Sequence, residues 1–165
     1  MKYSPIEMSK NLKKYDFNFK KKFGQNFIID ENVIEAIVNK ADIKEDTLVI
    51  VVGPGSGALT YKLCSKAKHV ICFEIDTTLK EILDDNLSGF NNIEVIYQDF
   101  LKVNLEEILK KYQYKNLYLV ANLPYYITTP IITKLIEEGI LSPTKKPDID
   151  NIVKIVLDAL NKVSF

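Results

Sequence analysis

The hydrophobic pattern of the chain alternates between two periods. Glu31–Ala41 carries apolar residues at Val33, Ile34, Ile37 and Val38, the stripe of a helix with one buried face. Leu48-Val49-Ile50-Val51-Val52 is a continuous and mostly β-branched run, which predicts a strand buried on both faces. It breaks at Gly53-Pro54-Gly55-Ser56-Gly57, and Ala58–Ser65 reads as a helix. His69–Glu74 predicts a second strand followed by a helix over Thr77–Leu87. Ile93–Tyr97 predicts a third strand followed by a helix over Leu105–Tyr112. Leu117–Ala121 predicts a fourth strand followed by a helix over Ile127–Glu138.

Strands alternating with helices imply an α/β fold, with a parallel, doubly wound, Rossmann-like sheet. Right-handed crossovers bring the C-terminal ends of the strands to one edge. The composition shifts at Leu141-Ser142-Pro143-Thr144-Lys145-Lys146-Pro147, where two prolines and a lysine pair mark a linker. Beyond it, Asp148–Val163 sets Ile149, Ile152, Val153, Val156, Leu157 and Leu160 on one helical face, which predicts a C-terminal amphipathic helix. The expected organisation is a basic arm over residues 1–20, an α/β domain over 21–140, and a linker with a helical fragment over 141–165.

A length of 165 residues suits one domain. No apolar run approaches the roughly 20 residues of a membrane span, and the lysine-rich N-terminus lacks the apolar stretch of a secretory signal. Cys64 and Cys72 lack metal or redox spacing and read as small buried thiols in a reducing, cytoplasmic setting. Net charge is zero but uneven: Lys2, Lys10, Lys13, Lys14, Lys20, Lys21 and Lys22 stand against only Glu7 and Asp16 in the first 24 residues. Such an arm suggests contact with a polyanion, the alternative being a solvated tail. Every basic residue is lysine, so phosphates would meet point charges rather than bidentate forks.

The candidate chemistry lies at the predicted strand ends. Gly53, Gly55 and Gly57 let the backbone turn tightly and approach a ligand closely. Glu74 ends the next strand, about 20 residues on, where an acid binds ribose hydroxyls. These features suit a nucleoside-containing cofactor, either a dinucleotide or S-adenosylmethionine. Asp99 could accept from an adenine amine and Phe100 could pack on the ring; the alternative is a helix N-cap at Asp99. Asn122-Leu123-Pro124-Tyr125 leaves the fourth strand. Pro124 stiffens the turn, Asn122 offers an acceptor to an exocyclic amine, and Tyr125 offers a flat face to a base. That combination fits methylation of an amino group on a nucleobase, against a plain strand-to-helix turn.

Together these motifs resemble the KsgA-type family of ribosomal RNA adenine N6,N6-dimethyltransferases, from about Lys21 to Ile140. The opening Lys22-Phe23-Gly24-Gln25-Asn26-Phe27-Ile28 is similar to the family's first motif. Gly53–Thr60 is similar to its glycine loop, Glu74-Ile75-Asp76 to its ribose acid motif, and Asn122–Ile127 to its catalytic motif. The resemblance implies an S-adenosylmethionine-dependent methyltransferase acting on small-subunit ribosomal RNA, with no membrane partner. It implies cofactor contacts at Asn26, Ile28, Gly53, Glu74, Asp99 and Asn122. It also implies an adenine stacked on Tyr125, its N6 amine held by the Asn122 side chain and the Pro124 carbonyl.

Three departures stand beside it. Val51 occupies the place of an acid that helps hold the amino end of the cofactor. The family likeness is expected to stop near Ile140, leaving a sheet truncated after its fourth strand, with that strand an open edge and turnover reduced or lost. The segment Lys146–Asn161 resembles RusA-type Holliday-junction resolvases, which implies a DNA-junction contact and weak metal-ligand candidates at Asp148 and Asp150, with Lys154 matching a catalytic lysine. The plainer reading of that segment is the amphipathic helix. If the first departure matters, Val51→Glu should tighten S-adenosylmethionine binding in titration calorimetry; unchanged or weaker binding rejects that role.

Overall fold

The structure is a computed structural model describing residues 3–14, 28–121, 125–141 and 153–157. It begins with a helix, α1 (Pro5–Lys14), inside the segment expected as a basic arm. Ser4 and Glu7 have the spacing of a capping box, and Pro5 suits a first helical position. The Ser4 hydroxyl accepts from the Glu7 N–H at 3.3 Å and its carbonyl from the Met8 N–H at 2.9 Å. Met8 is buried, so α1 is docked on the body rather than solvated.

The alternation that follows runs α2 (Glu31–Ala41), β1 (Thr47–Val52), α3 (Ala58–Cys64), β2 (His69–Phe73), a 3-10 turn at Thr77–Leu79 and α4 (Lys80–Leu87). It continues through β3 (Ile93–Ile96), a 3-10 turn at Phe100–Lys102, α5 (Leu105–Leu109), β4 (Asn116–Ala121) and α6 (Tyr125–Glu137). The Asp30 carboxylate caps α2 by accepting from the Asn32 N–H at 2.9 Å. Among the described residues the sheet is parallel, in the order β3-β2-β1-β4-β5, with β5 at Val153–Leu157.

Alternation along the strands builds two cores. Val49, Val51, Val70, Cys72, Tyr118 and Val120 face α1, α2 and α3, meeting Met8, Ile34, Val38 and Leu63. Leu48, Ile50, Val52, Ile71, Phe73, Leu117 and Leu119 face the other way, toward Phe100, Leu105, Leu109, Ile131 and Leu135. Both thiols are free and buried, as expected. Burial pushes the Cys64 pKa up to about 12 and raises that of Cys72 as well.

The C-terminal expectation is corrected. Val153–Leu157 is a strand, not part of a helix, and it pairs with β4 from Leu117↔Val153 to Ala121↔Leu157. The sheet therefore does not stop at four strands, and β4 is interior rather than an open edge. Val-Lys-Ile-Val-Leu also reads as a short β-rich run, and the unpaired backbone of β4 gives it a ladder to join. Among the described residues, no helix is long and apolar enough to cross a membrane.

Ile50, only 1 % exposed at the centre of β1, reports on the whole arrangement. Ile50→Ala should cost roughly 2–5 kcal/mol in a urea melt. A loss under about 1 kcal/mol would mean the second core does not close around it.

Candidate functional site

The C-terminal ends of β1, β2 and β3 carry the predicted site residues. After β1, Gly53, Gly55 and Gly57 all have positive φ, at 73°, 59° and 84°. The Gly53 N–H donates to the Phe73 carbonyl at 3.0 Å, tying the loop to the end of β2. Gly57 is doubly constrained. A Cβ added there would lie 3.2 Å from Leu83 Cδ2 and 3.3 Å from Leu87 Cδ1, besides being strained at that φ. The loop thus lies directly on α4.

Glu74 follows β2 and is 5 % exposed. One carboxylate oxygen accepts from the Asp76 N–H at 2.8 Å, and the Ile75 and Gly55 backbones donate to the same group. Burial pushes its pKa above the usual carboxylate range; the backbone donors oppose this and the nearby Asp76 charge adds to it. Asp76 has its own task, accepting from the Thr78 N–H at 3.1 Å and hydroxyl at 2.6 Å to cap the 3-10 turn. The acceptor that a ribose would meet is therefore Glu74, held against the glycine loop.

At the end of β3 the N-cap reading of Asp99 holds. Oδ1 accepts from the Leu101 N–H at 3.0 Å, while Oδ2 lies 3.9 Å from the Lys102 ammonium. Asp99 remains about 30 % exposed on its side chain, so Oδ2 can accept from a ligand. Phe100 differs from expectation. It is buried and packs edge-on against Phe73, centroids 5.2 Å apart, so its ring belongs to the second core. The exposed apolar surface nearby is Ile75, 52 % accessible between Glu74 and Asp76. The signal for it was an aliphatic residue flanked by two acids just beyond a buried strand. Ile28 is buried in the first core. Val51 is 2 % exposed beside Cys72 and Val120, so a glutamate there would cost unliganded stability as well as altering binding.

The segment Asn122, Leu123 and Pro124 lies outside the described residues, as do Asn26, Asp148 and Asp150. The described ends around the first are Ala121, closing β4, and Tyr125, opening α6. Tyr126 beside it is 69 % exposed. The direction of α6 is fixed at its far end. Lys134 donates to the Val103 carbonyl at 2.6 Å and pairs with Glu138, and Glu138 accepts from the Leu105 N–H at 2.8 Å. Lys154, matched above to a nuclease lysine, sits in β5 opposite Tyr118.

Comparison with known proteins decides the family, since residues 16–157 match ribosomal RNA adenine dimethylase. The chain belongs to that family. The match passes Ile140 and takes in β5, so the family likeness does not end where expected, and the resolvase likeness of the tail finds no support. Ribosomal RNA small subunit methyltransferase A of Bacillus pumilus is 48 % identical over 139 residues, covering 83 % of this chain and 48 % of that protein. The Listeria welshimeri protein of the same name is 49 % identical over 140 residues, with the same coverage. The chain spans about half the length of these curated relatives. The crystal structure of the 23S rRNA methyltransferase ErmE superposes with a TM-score of 0.60 at 30 % identity, over 81 % of this chain and 48 % of that one. A dimethyladenosine transferase from Plasmodium falciparum gives 0.54 at 34 % identity, over 66 % and 37 %. The fold is thus the Rossmann-like one of the methyltransferases.

The state of Glu74 is testable without a ligand. Because its native pKa is raised, the folded chain binds this proton more tightly than the unfolded chain does. Its stabilising contribution is complete below the ordinary glutamate value and fades as pH rises through the raised one. The stability of the wild type minus that of Glu74→Gln should therefore fall as pH rises above the ordinary glutamate value in paired urea melts. A flat or rising difference would mean that burial does not disfavour the carboxylate.

Proposed function

We propose that the chain is an S-adenosylmethionine-binding methyltransferase module that methylates the N6 amine of adenine in ribosomal RNA, that of the small subunit, in the cytoplasm where ribosomes are assembled. The observation that carries the reading is the glycine loop, buried Glu74 and half-buried Asp99 gathered at one edge of a sheet belonging to this family. The site's chemistry suits the cofactor. Glu74 accepts from ribose hydroxyls, Ile75 gives the adenosine an apolar surface, Asp99 Oδ2 accepts from its amine, and the loop admits close backbone approach.

Held there by Glu74, Ile75, Asp99 and the glycine loop, S-adenosylmethionine would supply an electrophilic methyl group to the N6 nitrogen, with S-adenosylhomocysteine as the leaving group and the displaced N6 proton going to solvent. The protein's part is positioning. The Asn122 side chain and Pro124 carbonyl accept the two N6–H bonds and aim the lone pair, while Tyr125 stacks on the flipped base. Aligning reactants and matching the transition-state charge replace a strong base in this scheme. The lysines of the N-terminal segment supply the electrostatic attraction for RNA phosphates.

Two measurements test this. S-adenosylhomocysteine at about 100 times its Kd should stabilise the chain by about 2.7 kcal/mol in a thermal melt. Small-subunit RNA lacking the modification should acquire N6-methylated adenine, and Asn122→Ala should abolish transfer while leaving a folded chain. Stabilisation by a nicotinamide dinucleotide and not by S-adenosylhomocysteine would assign the loop to another cofactor.

A further inference from the structure

Asn86 lies on α4, 3 % exposed, and joins three elements that are distant in sequence. Its Nδ2 donates to the Ser56 carbonyl at 2.7 Å and to the Met8 carbonyl at 3.2 Å. Its Oδ1 accepts from Asn11 Nδ2 at 2.7 Å. Two carbonyls require two donors, which sets the orientation of the amide and makes Asn11 the donor to it. Met8 and Asn11 belong to α1, whereas Ser56 lies inside the glycine loop and is itself buried. The peptide joining Ser56 to Gly57 is thereby held at both ends, since the Gly57 N–H donates to the Pro54 carbonyl at 2.9 Å.

A second link lies on the other side of the loop. The Tyr3 hydroxyl donates to the Ala58 carbonyl at 3.4 Å, the Tyr3 ring lies 5.0 Å from that of Tyr61, and the Lys62 ammonium sits 4.2 Å from the Tyr3 centroid. The segment carrying α1 therefore clasps the loop and the first turn of α3 from two points.

We propose that Asn86 is a positioning residue for the cofactor loop and that it couples α1 to cofactor binding, so the loop keeps its ligand-ready shape only while α1 is docked. This rests on the reading of the glycine loop as the S-adenosylmethionine site. Without the amide, the Ser56 carbonyl is a buried acceptor with no partner, and its peptide plane must turn toward water. That turn moves the Gly57 N–H and the backbone surface offered to the ligand. Coupling is reciprocal: a ligand that holds the loop in place also holds α1.

The test uses the full chain with S-adenosylhomocysteine as probe. Asn86→Asp keeps the side-chain shape but removes both donors and sets an anion against two carbonyls. It should weaken binding about tenfold or more in calorimetry. Asn11→Ala leaves both Asn86 donors in place and should weaken binding by about threefold. Lys80→Ala, at the exposed pair with Asp84 on α4, should bind like the wild type. S-adenosylhomocysteine should slow tryptic cleavage at Lys10 and Lys14 in the wild type and have no such effect in Asn86→Asp. Equal affinity in folded Asn86→Asp, or cleavage that ignores the ligand in the wild type, overturns the proposal. Should Asn86→Asp fail to fold, Asn11→Ala decides: faster amide exchange at Ser56–Ala58 in the unliganded chain supports the coupling, and unchanged exchange overturns it. A wild type that binds no S-adenosylhomocysteine refutes the functional reading itself, and this unliganded exchange then judges the coupling alone.

Discussion

The structure depends on the burial of β1 on every side. Its ladder partners are β2 and β4, and its two faces supply the centres of two separate cores. A strand in that position has no polar face to turn outward, which is why Leu48–Val52 is apolar throughout. The glycine loop is the direct continuation of this strand, so it starts from a backbone paired on both edges and packed on both faces. Glu74 and Asp99 extend neighbouring strands by the same logic, and the ladder fixes their spacing. The residues of the proposed site keep their spacing because they follow strands that cannot slide without exposing a core.

Much of this was legible in the sequence. The period of apolar residues located the alternating elements, and parallel pairing followed from the alternation. The glycines, Glu74 and Asp99 were readable because each stands where a strand pattern stops, and such a position exposes a side chain on a rigid base. Phe100 was misread for a physical reason. An aromatic residue beside a site can face the ligand or the core, and only the neighbouring Phe73, brought close by the fold, decides which.

The tail and Asn86 escaped for different reasons. Five β-rich residues satisfy a helical stripe and a short strand equally, and the deciding factor was the unpaired edge of β4, a property of the tertiary structure. Asn86 looked like an ordinary helix asparagine. Its importance comes from three partners in α1 and the loop, separated from it by tens of residues. For α1, by contrast, the signal was local and present, in the Ser4-Pro5 start with Glu7 three positions after Ser4.

The strand order also bears on how the chain is assembled in time. β1 finds β2 soon after both are made, but its other edge is completed only when Asn116–Ala121 arrives, and β4 in turn waits for Val153–Leu157. β1, apolar from Leu48 to Val52, therefore spends much of synthesis half-paired. Long-range parallel pairing is slow to close and leaves sticky edges open while it does. In chain order α1 and α2 both precede β1, and both pack on its first face, so amphipathic helices are already present to shelter part of that surface.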